Sequence, residues 1–130
     1  MSKTAPSFEE IAQDQWNPVM ATVTRMYAGA HARLEVMGPD VGYEIELEDR
    51  PFEGIDADVK DGERIVWMHF GDMSHAVHRA SVVRMVPRVG ETGPVIEVED
   101  EDGVKTILTL GNPDEYALPP GEEEERSQGS

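Results

Sequence analysis

From His31 to Leu110 apolar and polar residues alternate with a period of two, and few architectures other than β-sheets accept that period. Ala32, Leu34 and Val36 alternate with His31, Arg33 and Glu35 before Gly38-Pro39-Asp40 turns the chain. Tyr43, Ile45 and Leu47 then alternate with Glu44, Glu46 and Glu48, predicting a strand with one buried and one acidic face that ends at Pro51. Ile55, Ala57 and Val59 predict a short strand. Lys60-Asp61-Gly62 is a hairpin turn into Arg64–Phe70, which is apolar on both faces except at His69 and is therefore placed centrally. Gly71-Asp72 interrupts the run. Ser81–Val86 is β-branched, and Val95–Leu110 reads as a hairpin turning near Asp102-Gly103, with Glu97, Glu99 and Glu101 on one face.

The period before His31 is different. Ser7 and Glu10 are spaced as a capping box, predicting a short helix with Phe8, Ile11, Ala12 and Trp16 on one side. Asn17-Pro18 reads as a second N-cap with proline at the first helical position. Val19, Met20, Val23, Met26 and Tyr27 follow on one helical face, and Gly29 is the expected stop. The expected fold is α+β and mainly β. An N-terminal helix or helix pair covers six or seven mostly antiparallel strands, which short connections join into one curved sheet or small barrel. Domain limits follow: a flexible N-terminus at 1–6, one folded domain at 7–111, and a disordered acidic tail at 112–130 that is too poor in apolar residues to order itself.

Charge narrows function. The chain of 130 residues carries 27 Asp+Glu against 11 Lys+Arg, a net charge of −16 at pH 7. Residues 112–130 hold −5 of this, so the body is acidic as well as the tail. Such a field repels polyanions, so neither direct nucleic-acid binding nor attachment to anionic membranes is expected. No apolar run approaches the ~20 residues of a membrane span. The N-terminus lacks the apolar segment of a secretory signal, and the cysteine count is zero, which excludes disulfides and thiolate chemistry. The expected location is the cytoplasm. Eight of the basic residues are Arg and three are Lys. Acidic, lysine-poor surfaces suit concentrated salt, where repulsion is screened; an Arg-rich codon bias in an ordinary acidic protein is the alternative.

Candidate chemistry rests on few residues. Asp72, His75 and His78 lie within seven positions, just after His69, and imidazole with carboxylate suits a divalent metal. On a helix His75 and His78 would share a face; on a strand they would point apart. Asp56, Asp58 and Asp61, or Asp100, Asp102 and Gly103, resemble pieces of calcium loops, yet the bidentate Glu and flanking helices are missing and acidic hairpin turns explain them. There is no nucleophile elbow or phosphate-cradling glycine loop, so no catalytic residue is assigned and no cofactor is expected. The acidic strand faces carry the main functional reading. Like charges at Glu44, Glu46 and Glu48 and at Glu97, Glu99 and Glu101 are unfavourable unless offset by salt, by Arg33, Arg79, Arg84 or Arg88, or by a basic partner. The third offset defines a non-enzymatic module that docks a basic protein surface; a sharper version mimics nucleic acid. A metal-binding protein using Asp72, His75 and His78 is the alternative. An Sm-like barrel and self-association through the helix face remain further options.

Several segments in order, namely Trp16, Gly29–Val36, Gly42, Arg50-Pro-Phe-Glu-Gly-Ile55, Ala57-Asp-Val-Lys-Asp-Gly62, Ser74-His-Ala-Val77 and Val95–Gly103, resemble a family of small bacterial domains of unknown function. That family reads as a tryptophan-led helix, a "VEV" strand, a "PLxGI" segment, a "DxKDD" turn, an "Asp-His" step and a "DxDG" hairpin. The resemblance spans roughly residues 16–110. Here Ser74 precedes His75 at the "Asp-His" step, and no activity is implied.

Overall fold

The helix forms where the apolar spacing changes to three and four. In the computed structural model, which describes residues 8–87 and 92–111, α1 spans Trp16–Tyr27 and buries Trp16, Met20, Val23 and Tyr27. Met26, placed on this face by spacing, is 57% exposed, because the buried stripe runs through Trp16 and Met20 instead. Gly29, at φ 93°, ends the helix, and its amide donates to the Phe52 carbonyl at 2.7 Å. The expected first helix is not found. Glu9–Ile11 is strand β1, paired with a distant strand, and a 3-10 turn at Gln13–Gln15 leads into α1. The local capping signal gives way to that long-range pairing; Ser7 itself lies outside the described residues.

The remaining strands are β2 (His31–Gly38), β3 (Gly42–Pro51), β4 (Gly54–Lys60), β5 (Glu63–Phe70), β6 (Met73–Val77), β7 (Ala80–Val86), β8 (Thr92–Asp100) and β9 (Lys105–Gly111). All pairings among the described residues are antiparallel. The molecule is mainly β, as alternation requires, but it has two sheets rather than one. The first runs β1-β7-β8-β9-β2-β3 and the second β4-β5-β6. Neither closes into a barrel: the outermost strands of the larger sheet, β1 and β3, do not pair.

The inner faces and α1 enclose one core. Phe52, Phe70, Leu34, Met68, Ile96, Leu108, Leu110, Val66 and Val98 are fully buried, and the Phe52 and Phe70 rings meet tilted at 6.3 Å. Alternation holds closely on β9, where Thr106, Leu108 and Leu110 face inward and Lys105, Ile107 and Thr109 do not. A bulge sits at the start of β8, where Gly93 passes so close to the Leu110 and Gly111 carbonyls that a Cβ there would collide with them. Pro94 is tolerated beside it because the ladder is already interrupted.

Sheet edges set what the surface offers. α1 covers the edge of β4: the Ile55 amide donates to Thr24 Oγ1 at 2.9 Å, Thr24 Oγ1 donates to the Ile55 carbonyl, and the Ala57 amide donates to Asn17 Oδ1. Asn17 therefore serves the sheet, and Gln15 occupies the N-cap position. β1 is three residues long and β6 five. β3 is ten residues long, and all of it except Leu47 is exposed.

Candidate functional site

β3 departs from its expected two-faced pattern at a bulge. Leu47 lies opposite Leu34, but Ile45 lies opposite Glu35, so one extra residue, Glu46, enters the strand between them. Leu47 consequently faces the core while Tyr43 and Ile45 face outward, 52% and 45% exposed. The three glutamates do not share a face. Glu48 joins Arg33 on the outer side at 3.7 Å. Glu44 lies opposite Val36, on the other side, and makes no ion pair among the described residues. Glu46 lies close enough to His75 to raise the affinity of that imidazole for a proton. Val41, at the tip of the β2–β3 hairpin, is 46% exposed. Together these residues form an uncovered strand edge, apolar outward and acidic on its opposite side.

The outer face of the larger sheet is charged too, but balanced. Arg84 of β7 lies opposite Glu97 of β8 and donates both to it and, at 2.9 Å, to Glu99. Glu97 is only 6% exposed, so the guanidinium is what keeps a buried carboxylate tolerable. These hydrogen bonds, to Glu99 and then Glu97, push the Arg84 pKa above its ordinary value. Arg79 pairs with Glu101 and Asp102 at the β8–β9 turn. Glu97, Glu99 and Glu101 are thus offset internally by two of the arginines the sequence singled out. Arg33 serves Glu35 and Glu48 in the same way, and the Tyr43 hydroxyl donates to Glu35; Arg88 lies outside the described residues.

The histidines disperse. His75 lies opposite Met68 on the core side of the second sheet, and burial pushes its pKa below the ordinary value, with Glu46 partly opposing that shift. His78, in the turn after β6, pairs with Glu63 at 2.9 Å. Asp72 sits in the β5–β6 turn. The trio of Asp72, His75 and His78 does not converge: His75 sits on β6, while Asp72 and His78 lie in the turns at its two ends. Among the described residues no three His, Asp or Glu side chains stand where one metal ion could be held. The acidic turns are likewise occupied: Asp100 Oδ1 accepts from the Asp102 and Val104 amides.

One constellation escaped the sequence reading. On the outer face of the second sheet, His69 Nε2 lies 3.0 Å from Asp56 Oδ2 and His69 Nδ1 lies 2.9 Å from Ser74 Oγ. In the neutral ring this requires Nε2–H to donate to the carboxylate and the serine hydroxyl to donate to Nδ1. The signal was register: Ser74 is directly opposite His69, and Asp56 is its diagonal neighbour on the other flank. The same residue types activate serine nucleophiles in enclosed sites. Here Asp56 is 57% exposed on an open sheet, water screens the chain, and the three side chains tie β4, β5 and β6 together.

Fold and surface define a class: an open, two-sheet antiparallel β domain with one helix and an acidic exposed edge. The chain belongs to a family of unknown function (DUF5335), whose model matches residues 7–119. No curated protein and no solved structure matches it. Among the described residues no helix is long and apolar enough to cross a membrane.

Proposed function

We propose that this chain is a non-catalytic interaction module that binds a basic protein surface through β3. One observation carries the reading. Of the two acidic series in the sequence, Glu97, Glu99 and Glu101 are matched by Arg84 and Arg79, whereas Glu44 and Glu46 stand exposed and, among the described residues, pair with no arginine or lysine. Unpaired like charges on one strand cost stability in the free protein, and a cationic partner recovers that cost on binding. Val41, Tyr43 and Ile45 supply exposed apolar area next to the charge. The test is retention of proteins from native cytosol on the immobilised full chain, compared with Glu44→Lys/Glu46→Lys. The expected result is a basic protein held by the native chain, released by salt and absent from the variant column. Equal retention on both columns, or none on either, refutes the reading.

A further inference from the structure

The edge of β3 also constrains how a partner can bind. We infer that β3 accepts an extended segment of another protein as an additional strand, and that this segment alternates basic with apolar residues. The inference rests on the proposed function and adds to it the mode of binding and the partner's pattern. β3 ends the larger sheet, so half of its backbone N–H and C=O groups point away from β2, with no neighbouring strand among the described residues to receive them. α1 closes the β4 edge, and β1 and β6 are short; β3 is the long edge left open among the described residues. Side chains then fix the pattern. Tyr43 and Ile45 project on one side of the edge, and Glu44 projects on the other with Glu46 following it. A strand laid alongside places its own alternate residues beside these two rows, so one row is apolar and the other cationic. The bulge at Glu46 bends the ladder and limits regular addition to Gly42–Glu46, about 17 Å of strand.

Charge selects the occupant. A second copy pairing β3 with β3 would set Glu44 and Glu46 against the same residues of its partner, which like-charge repulsion disfavours. Residues 112–130 of the chain itself carry −5 and have the wrong sign.

The experiment uses the 15N-labelled full chain and four capped octapeptides of the same Arg and Val content: one alternating Arg and Val, two with that sequence N-methylated at every second residue, one in each phase, and one block-ordered Arg-then-Val. Backbone methylation preserves side chains and charge but removes ladder donors. The expected result is that the alternating peptide slows hydrogen exchange of amides within 42–46 and binds about tenfold tighter than the block peptide and at least one methylated phase. Glu44→Lys/Glu46→Lys should abolish that protection. If all peptides bind equally, with salt-sensitive affinity and no amide protection in β3, the strand-addition inference fails while the basic-partner reading stands. If no peptide perturbs β3, both fail. Protection of the same amides that grows with protein concentration in the absence of peptide identifies a second copy as the occupant and overturns the inference.

Discussion

His75 is the residue at which surroundings and chemistry disagree most. It lies opposite Met68 on the core side of β6, where an imidazolium loses hydration, and only the Glu46 carboxylate offsets this. Its pKa in the folded chain is therefore below the ordinary 6.5. The unfolded chain takes up a proton at higher pH than the folded one, so acidification favours unfolding. The contribution of His75 to stability is complete above the unfolded pKa and is lost as pH falls from there through the lower folded pKa. Urea unfolding of wild type and His75→Gln across this window should show a shallower pH slope in the variant. Replacing Glu46 by Gln removes the favourable charge, so the His75 midpoint, followed by imidazole NMR, should move lower still. An unchanged midpoint would show that Glu46 does not act on the ring. None of this was visible in the sequence, where His75 and Glu46 are 29 positions apart and belong to different candidate groups.

Among the elements, the β7–β8 ladder depends on a single cation. Arg84 holds the buried Glu97 and the half-buried Glu99 together, and strand pairing puts all three on one face. Removing the guanidinium in Arg84→Ala strands the Glu97 carboxylate away from water, at a cost of about 1–3 kcal/mol. Replacing both partners with apolar residues, Arg84→Met with Glu97→Leu, should recover most of that loss, because neither charge then needs solvation. Denaturant midpoints of the single and double variants check this; equal losses in both would point to damaged packing instead. Strand existence was legible because β2, β5, β7, β8 and β9 alternate or run apolar over their whole length. Two things were hidden. β1 depends on pairing with β7, which no local signal at Glu9–Ile11 encodes. The bulge in β3 turns Ile45 to the face opposite Leu47 although two residues normally share a side, and only the register against Leu34 and Glu35 reveals it. Asn17, read from the sequence as an N-cap, is instead, with Thr24, one of the groups that seal the β4 edge.

For the whole molecule, the arrangement of charge predicts how salt acts. A net charge of −16 on 130 residues gives long-range repulsion that opposes the compact state. Salt screens that repulsion first, because the Debye length shrinks from about 10 Å at 0.1 M to about 3 Å at 1 M. The Arg84 pairs are at contact distance and partly shielded from solvent, so they are screened less. Added KCl should therefore remove more repulsion than attraction, and the unfolding midpoint should rise between dilute buffer and about 1 M salt. This is the behaviour expected of a salt-adapted surface, and a flat or falling midpoint would leave the acidity to be explained by binding alone. The two explanations separate at β3. If the repulsion is spread over the surface, Glu44→Gln/Glu46→Gln removes two of many charges and leaves the salt gain nearly intact. If it is concentrated on this edge, the same variant should be more stable than wild type in dilute buffer and should gain less from salt. The first outcome is expected, because residues 112–130 alone carry −5 and, among the described residues, Glu9, Glu10, Glu53 and Asp72 have no ion pair either, so Glu44 and Glu46 are two of many unmatched charges.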